Sequence, residues 1–198
     1  YSPSIVYVDG TNGNDTNNGL SRSDALKTIQ KAVTTNAKSI LVREGIYEPF
    51  TMTNKSGMII SIDHYYDTYT VTSDEDNPKV VIDADHSNNV GITATNCNGI
   101  TFECIEVKNA NVSGFHVEKC SKINFIDCVA HNIYKTSKDA TSFGFRFISA
   151  DADLYNCSAY NIGTETVGTG MYDCDGFNIH TTGTANLYNC SAYNCEDD

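Results

Sequence analysis

The chain has 198 residues, with 13 Lys and Arg against 25 Asp and Glu, for a formal charge of −12. That balance excludes a nucleic-acid binder working through phosphate contacts, which needs a basic face, and it excludes docking on anionic membranes. No run approaches the ~18 apolar residues of a membrane span, and the length suits one sizeable domain with its own core.

Asn and Gly at turn positions, with Val, Ile, Tyr, Phe and Thr between them, predict many short strands. Near the start, "DALKTIQKAV" (24–33) sets Leu26, Ile29 and Val33 at helical spacing after a Ser/Asp opening. It predicts a short amphipathic α-helix over about 23–36 that caps the open end of a core. "SILVREGIYE" (39–48) follows as strand, glycine turn and strand. "GMIISID" (57–63) and "KVVIDA" (79–84) continue as further strands, and the Tyr-rich segment 63–78 is an insertion.

From residue 91 the chain repeats. Gly91, Gly114, Gly144 and Gly176 each open an apolar pair, and each is followed ten or eleven residues later by an eight-residue phrase. The phrases are "FECIEVKN" (102–109), "FIDCVAHN" (125–132), "LYNCSAYN" (154–161) and "LYNCSAYN" (187–194). Successive glycines lie 23, 30 and 32 residues apart. Short strands at such a period, without helical spacing, predict a β-solenoid whose coils stack like on like. Cys128, Cys157 and Cys190 then form one inward ladder, and Cys97 with Cys120 a second. The thiols read as buried packing and not as a disulfide framework. Asn109, Asn132, Asn161 and Asn194 read as a ladder of turn residues. Five Asn-x-Ser/Thr sequons occur, at Asn14, Asn54, Asn111, Asn156 and Asn189, and are read as compositional because two belong to the ladder phrase.

The coils differ in one place only, after the repeated Asn, where "IYKTSKDATSF" (133–143) and "IGTETVGTGMYDCD" (162–175) are inserted. Loops gathered at one corner build the rim of a groove, and the strand after that corner is its floor. Residues two and four after each glycine point outward there. His116, Arg146, Asn178 and His180 therefore share one face and become candidate substrate-binding residues, with Tyr172 from the inserted loop beside them. Arg146 is the one Lys or Arg between 139 and 198, against nine acidic residues. Asp175 precedes Gly176, and a short gap after Asn194 brings Asp198 into the same column one coil on. Carboxylates stacked ~4.8 Å apart repel unless a cation lies between them. With Asp173 and Asp197 alongside, this is a candidate Ca2+ site, because Ca2+ takes six to eight hard oxygen ligands.

The opening "VYVDGTNGNDTNNGLSRSDALKTIQKAV", followed by "AKSILVREGIYEPF", resembles the start of right-handed parallel β-helix proteins of the pectate-lyase-like superfamily. The later Gly-Phe and Asn-Cys-x-Ala-Tyr-Asn coils are similar to calcium-dependent polysaccharide lyases. The resemblance implies an all-β, right-handed parallel β-helix, secreted or at the cell surface. It implies Ca2+ as cofactor, held by Asp173, Asp175, Asp197 and Asp198, and an acidic polysaccharide such as pectate as substrate, cleaved by β-elimination. The base in that family is a basic residue on the groove floor, commonly Lys. No Lys follows Lys138, so either Arg146 serves or the base lies beyond residue 198. Ending in mid-coil, the chain is expected to be one β-helix domain forming the N-terminal part of a longer solenoid. Two other readings stay open. One is a glycan- or receptor-binding module, an adhesin or tail-spike type, stacking sugars on Tyr66, Tyr69, Tyr134, Tyr160, Tyr172 or Tyr193. The other is a uronan C5-epimerase.

Overall fold

The structure is a computed structural model and describes residues 3–66, 79–137, 140–163 and 173–196. Among these, the strands form three parallel sheets of seven, six and five strands. Ser39–Val42, Gly45–Tyr47 and Phe50–Thr53 make one coil, giving a strand to the first, second and third sheet in turn. The same order recurs through Ser56–Ile62, Val80–Asp83 and Val90–Thr95. It continues through Asn98–Glu103, Ile105–Lys108 and Ser113–Glu118. Ile123–Ile126, Val129–Tyr134 and Ser142–Ile148 follow, then Asp151–Tyr155, Ser158–Gly163 and Cys174–His180. Thr184–Tyr188 and Ser191–Cys195 begin one more coil, and Ile5–Val8 adds the outermost strand of the first sheet. This is a solenoid of stacked coils, nearly all-β.

The register matches the sequence columns. Phe102 pairs with Phe125, Phe125 with Leu154, and Leu154 with Leu187. Phe115, Phe145 and Phe177 stack in line, with ring centroids 4.6 and 5.1 Å apart. Each buried Phe contributes ~1.5–3 kcal/mol by leaving water, so this column is a main source of cohesion. The cysteines behave as small core residues with one polar duty. Cys128 Sγ donates to the carbonyl of Phe102 in the preceding coil (3.4 Å) and to that of Ile126 (3.4 Å). Cys157 and Cys120 repeat the arrangement. All eight cysteines are free thiols. Burial, then the neighbouring Cys157 thiol, holds Cys128 protonated, far above the usual thiol value.

The corners explain the Asn columns. Asn109, Asn132, Asn161 and Asn194 all take φ of 53–60°, a left-handed conformation that Asn tolerates better than most residues. Their side chains bond along the stack, Asn161 Nδ2 donating to Asn132 Oδ1 (3.0 Å) and Asn194 Nδ2 to Asn161 Oδ1 (3.2 Å). A second ladder runs Asp127, Asn156, Asn189, at 3.1 and 2.9 Å. The glycine column has a steric cause. A Cβ on Gly144 would lie 2.6 Å from the Gly176 carbonyl and 2.7 Å from Ala159 Cβ, so small residues face each other where the second and third sheets meet.

The helix expected over about 23–36 is shorter than its spacing suggested. Arg22–Asp24 is one 3₁₀ turn, and only Ile29–Thr34 is α-helical. Thr28 caps it, its side chain accepting from Lys31 N–H, and Asn36 at φ 57° ends it. Leu26, counted as a helical core residue, is extended. Its backbone is claimed by the first strand, through Leu26 N–H to Tyr7 O and Asp9 N–H to Leu26 O, both 2.9 Å. Ile29, Ala32 and Val33 are buried.

Candidate functional site

The third sheet presents the predicted outward columns. Thr51, Thr93, His116, Arg146 and Asn178 occupy one, each paired with the next. Thr53, Thr95, Glu118, Ile148 and His180 occupy the second. Four of the residues singled out from the sequence therefore lie on one face, with His116, Arg146 and Asn178 on consecutive rungs ~4.8 Å apart. Tyr172, Asp197 and Asp198 lie outside the described residues.

Arg146 is the chemical centre of this face. Its guanidinium lies over the Phe143 ring, 4.6 Å from the centroid, an arrangement that holds a cation by the ring's negative face. Its Nε is shielded from solvent and has no hydrogen-bond partner among the described residues. Arg146 is half-buried, so its guanidinium charge is what an oxygen anion on this face would meet. His116, one rung away, is largely buried. Burial, then the charge of Arg146, lowers its pKa below the ordinary histidine value, against a smaller opposing pull from Glu118. It is therefore neutral at pH 7. Glu118 is taken up by Lys119, with Nζ to Oε1 at 2.9 Å, and its other oxygen lies 3.8 Å from His116 Nε2. Asp175 Oδ2 accepts from Asn178 Nδ2 (2.7 Å), which fixes the amide beside Arg146. The His180 side chain is exposed at the edge.

The metal prediction meets a partial set. Asp173 is exposed and Asp175 half-buried. Among the described residues no three His, Cys, Asp or Glu side chains converge as metal ligands. The described carboxylates thus do not by themselves make a Ca2+ centre.

Two of the tyrosines read as sugar platforms stack on other rings. Tyr134 stacks on His86 (5.5 Å), and Tyr160 lies between His131 (4.7 Å) and Tyr193 (5.0 Å). Tyr160, covered on both faces, shows only its edge to solvent and is scaffold. The side chain of Tyr66, and Tyr69 altogether, lie outside the described residues.

Sequence reasoning missed the corner beneath the inserted loops. Lys135, Ser142 and Cys174 are buried there. Ser142 Oγ donates to Cys174 Sγ (3.5 Å), and Cys174 Sγ to Glu196 Oε2 (3.6 Å). It also missed Phe143 as the seat of Arg146, although its position three residues before the lone arginine was visible.

No family model matches the chain, and no curated protein matches it. Among solved structures it is similar to a GH136 lacto-N-biosidase from Eubacterium ramulus, with TM-score 0.54 and 13% identity over 79% of this chain. The chain spans about a third of that protein's length, 34%. A rhamnogalacturonan lyase aligns at TM-score 0.46 and 13% identity, over 97% of this chain and 69% of that one. The first likeness shows a shared fold.

Proposed function

We propose that the chain is a carbohydrate-active, right-handed parallel β-helix protein whose third-sheet face binds an acidic polysaccharide, a uronan of the pectate kind, and cleaves it by β-elimination. One observation carries the reading: Arg146, half-buried and seated on Phe143, has His116 and Asn178 on the rungs beside it. The lacto-N-biosidase that shares the fold acts, by its name, on a glycan; that agrees with the substrate class and does not fix the chemistry. An extracellular polymer as substrate implies a secreted or cell-surface protein.

In β-elimination a base takes the proton from C5 of the uronate. The C5–H electron pair becomes the C4–C5 double bond, the C4–O bond breaks, and the leaving sugar oxygen gains a proton. Arg146 as the base would have to give up a guanidinium proton, and a guanidinium holds its proton too tightly to serve readily as a base. His116 is neutral and accepts a proton directly. We therefore assign the uronate carboxylate and its developing charge to Arg146, the proton to His116, and orientation of the sugar to Asn178 and His180, with Tyr172 from the rim. We propose Asp173, Asp175, Asp197 and Asp198 as ligands for Ca2+, which would withdraw charge from the uronate carboxylate; no step above depends on it.

Polygalacturonate incubated with the protein and Ca2+ should give the ultraviolet absorption of a C4–C5 unsaturated uronide. His116→Ala should abolish it, and a chelator should slow it without abolishing it. Binding without any absorbance change would favour a non-catalytic glycan-binding module, which the same face supports without further chemistry.

A further inference from the structure

A second cleft opens at the N-terminal end of the solenoid, between the segment before the short helix and the turns that follow Gly45–Tyr47 and Val80–Asp83. Its volume is about 470 Å³, within the ~300–1,000 Å³ of small-molecule sites. None of its lining residues belongs to the third sheet, and the coil of Ile46 comes three coils before that of Arg146.

The cleft is lined by both apolar and acidic residues. Ile46, 68% exposed, and Pro49 are apolar surface there. The Tyr47 ring lies beneath, its hydroxyl donating to Arg43 O (2.7 Å) and accepting from Gly10 N–H (3.1 Å). Glu48, Asp83 and Asp85 also line it, with Lys27 as the lining cation and Lys108 Nζ 3.4 Å from Asp83 Oδ2. Asp83 stays charged. Burial opposes its ionisation, but the Asp85 N–H, the Asn109 amide and Lys108 outweigh burial and hold its pKa below the usual value.

Two occupants fit poorly. A lone cation lacks its ligand set, since the lining carboxylates do not converge in a group of three. A uronate, sulfate or phosphate meets three carboxylates against two ammonium groups, Lys27 and the Lys108 paired with Asp83, still a net negative surrounding. A pyranose fits both surfaces. Its C–H face covers Ile46 and Pro49, and its hydroxyls donate to carboxylates, hydrogen bonds about twice as strong as neutral ones.

We propose that this cleft is a subsite for an uncharged sugar, separate from the acidic-polymer face on the third sheet. It does not rest on the elimination chemistry assigned there. The protein would then hold a glycan by neutral residues at one end and acidic residues along the third sheet.

The test is saturation-transfer NMR on the whole chain with galactose, glucose, rhamnose and lactose, and galacturonate as charged control. At least one neutral probe should bind. Asp85→Asn, which keeps a residue tolerant of the φ of 47° found there, should weaken that probe at least tenfold. Ile46→Ser should do likewise, and Arg146→Ala should leave it unchanged. The proposal fails if no neutral sugar binds, if binding survives both cleft substitutions, or if galacturonate displaces the neutral probe. Loss of acidic-polymer binding in Arg146→Ala, with neutral-sugar binding intact, separates the two sites.

Discussion

Lys135 Nζ lies 2.6 Å from Glu196 Oε2 although the two residues belong to coils two apart. They meet because the position between them is glycine. Lys135 N–H bonds the Gly163 carbonyl (2.9 Å) and Glu196 N–H bonds that of Ile162 (3.0 Å), and Gly163 has no side chain to block the gap. A Cβ on Gly163 would sit 2.6 Å from Glu196 Cβ. The Lys135 side chain is wholly buried and that of Glu196 is 15% exposed. Burial disfavours the Lys135 charge, but Glu196 outweighs it and raises the pKa above the usual lysine value.

Removing one partner should therefore cost more than removing both. Glu196→Gln strands a buried ammonium and should destabilise the fold by about 3 kcal/mol, read as a lower urea midpoint. Lys135→Met combined with Glu196→Gln should recover a large part of that loss. A double variant no more stable than Glu196→Gln alone would refute the pair. In pH terms, a folded-state pKa above the unfolded one gives stability that is full below the unfolded value and declines as pH rises through the folded value. The contribution of the pair should thus be constant at neutral pH and fall in strong alkali.

Gly144→Ala should destabilise by about 1–3 kcal/mol, because both its close neighbours, the Gly176 carbonyl and Ala159, belong to packed sheets. Thermal melts of this variant should show a lowered transition with the parallel-sheet circular dichroism retained. An unchanged melt would mean that the sheets part more easily at this edge than the contacts indicate.

Thiol labelling should divide the cysteines. Cys97, Cys120, Cys128, Cys157 and Cys174 are buried, whereas Cys104, Cys190 and Cys195 are partly exposed. A thiol reagent should modify the second group first, and the first group only with unfolding. Rapid native labelling of Cys128, which is fully buried, would contradict the core assignment.

The imidazole of His116 should titrate below the ordinary histidine value, because burial and then Arg146 lower it. Arg146→Ala should raise its pKa, and bound uronate should raise it too by bringing in negative charge. A histidine depressed in the fold takes up its proton more readily once unfolded. Stability should therefore fall as pH drops through the window just below the unfolded value. Proton NMR of the ring C–H through pH 4–8 reads all three; an Arg146→Ala shift downward would overturn the assignment.

Much of this architecture was legible because stacked coils must match. The recurrence of "LYNCSAYN" gave the register of Leu154 with Leu187 and of Tyr160 with Tyr193, and the glycine spacing put His116, Arg146 and Asn178 in one column. Legibility ended where periodicity ended. Leu26 had helical spacing, but hydrogen bonds to the first strand draw it into an extended conformation. Tyr160, by contrast, read as an open platform although His131, Tyr160 and Tyr193 hold the same place in their phrases, and like-on-like stacking covers both its faces. The Lys135–Glu196 contact depends on an absent side chain one coil away, a relation visible only once the corner is folded. The state of Arg146 likewise depends on Phe143 folding beneath it.

The account turns on Arg146 as the anion-binding residue of the third-sheet face. Calorimetric titration of oligogalacturonate in Ca2+ buffer into the wild-type chain and into Arg146→Gln tests it most directly. The wild type should bind, and the variant, with its melting temperature preserved, should bind at least tenfold more weakly. Equal affinity in the two proteins, or no heat of binding in the wild type, would contradict the account.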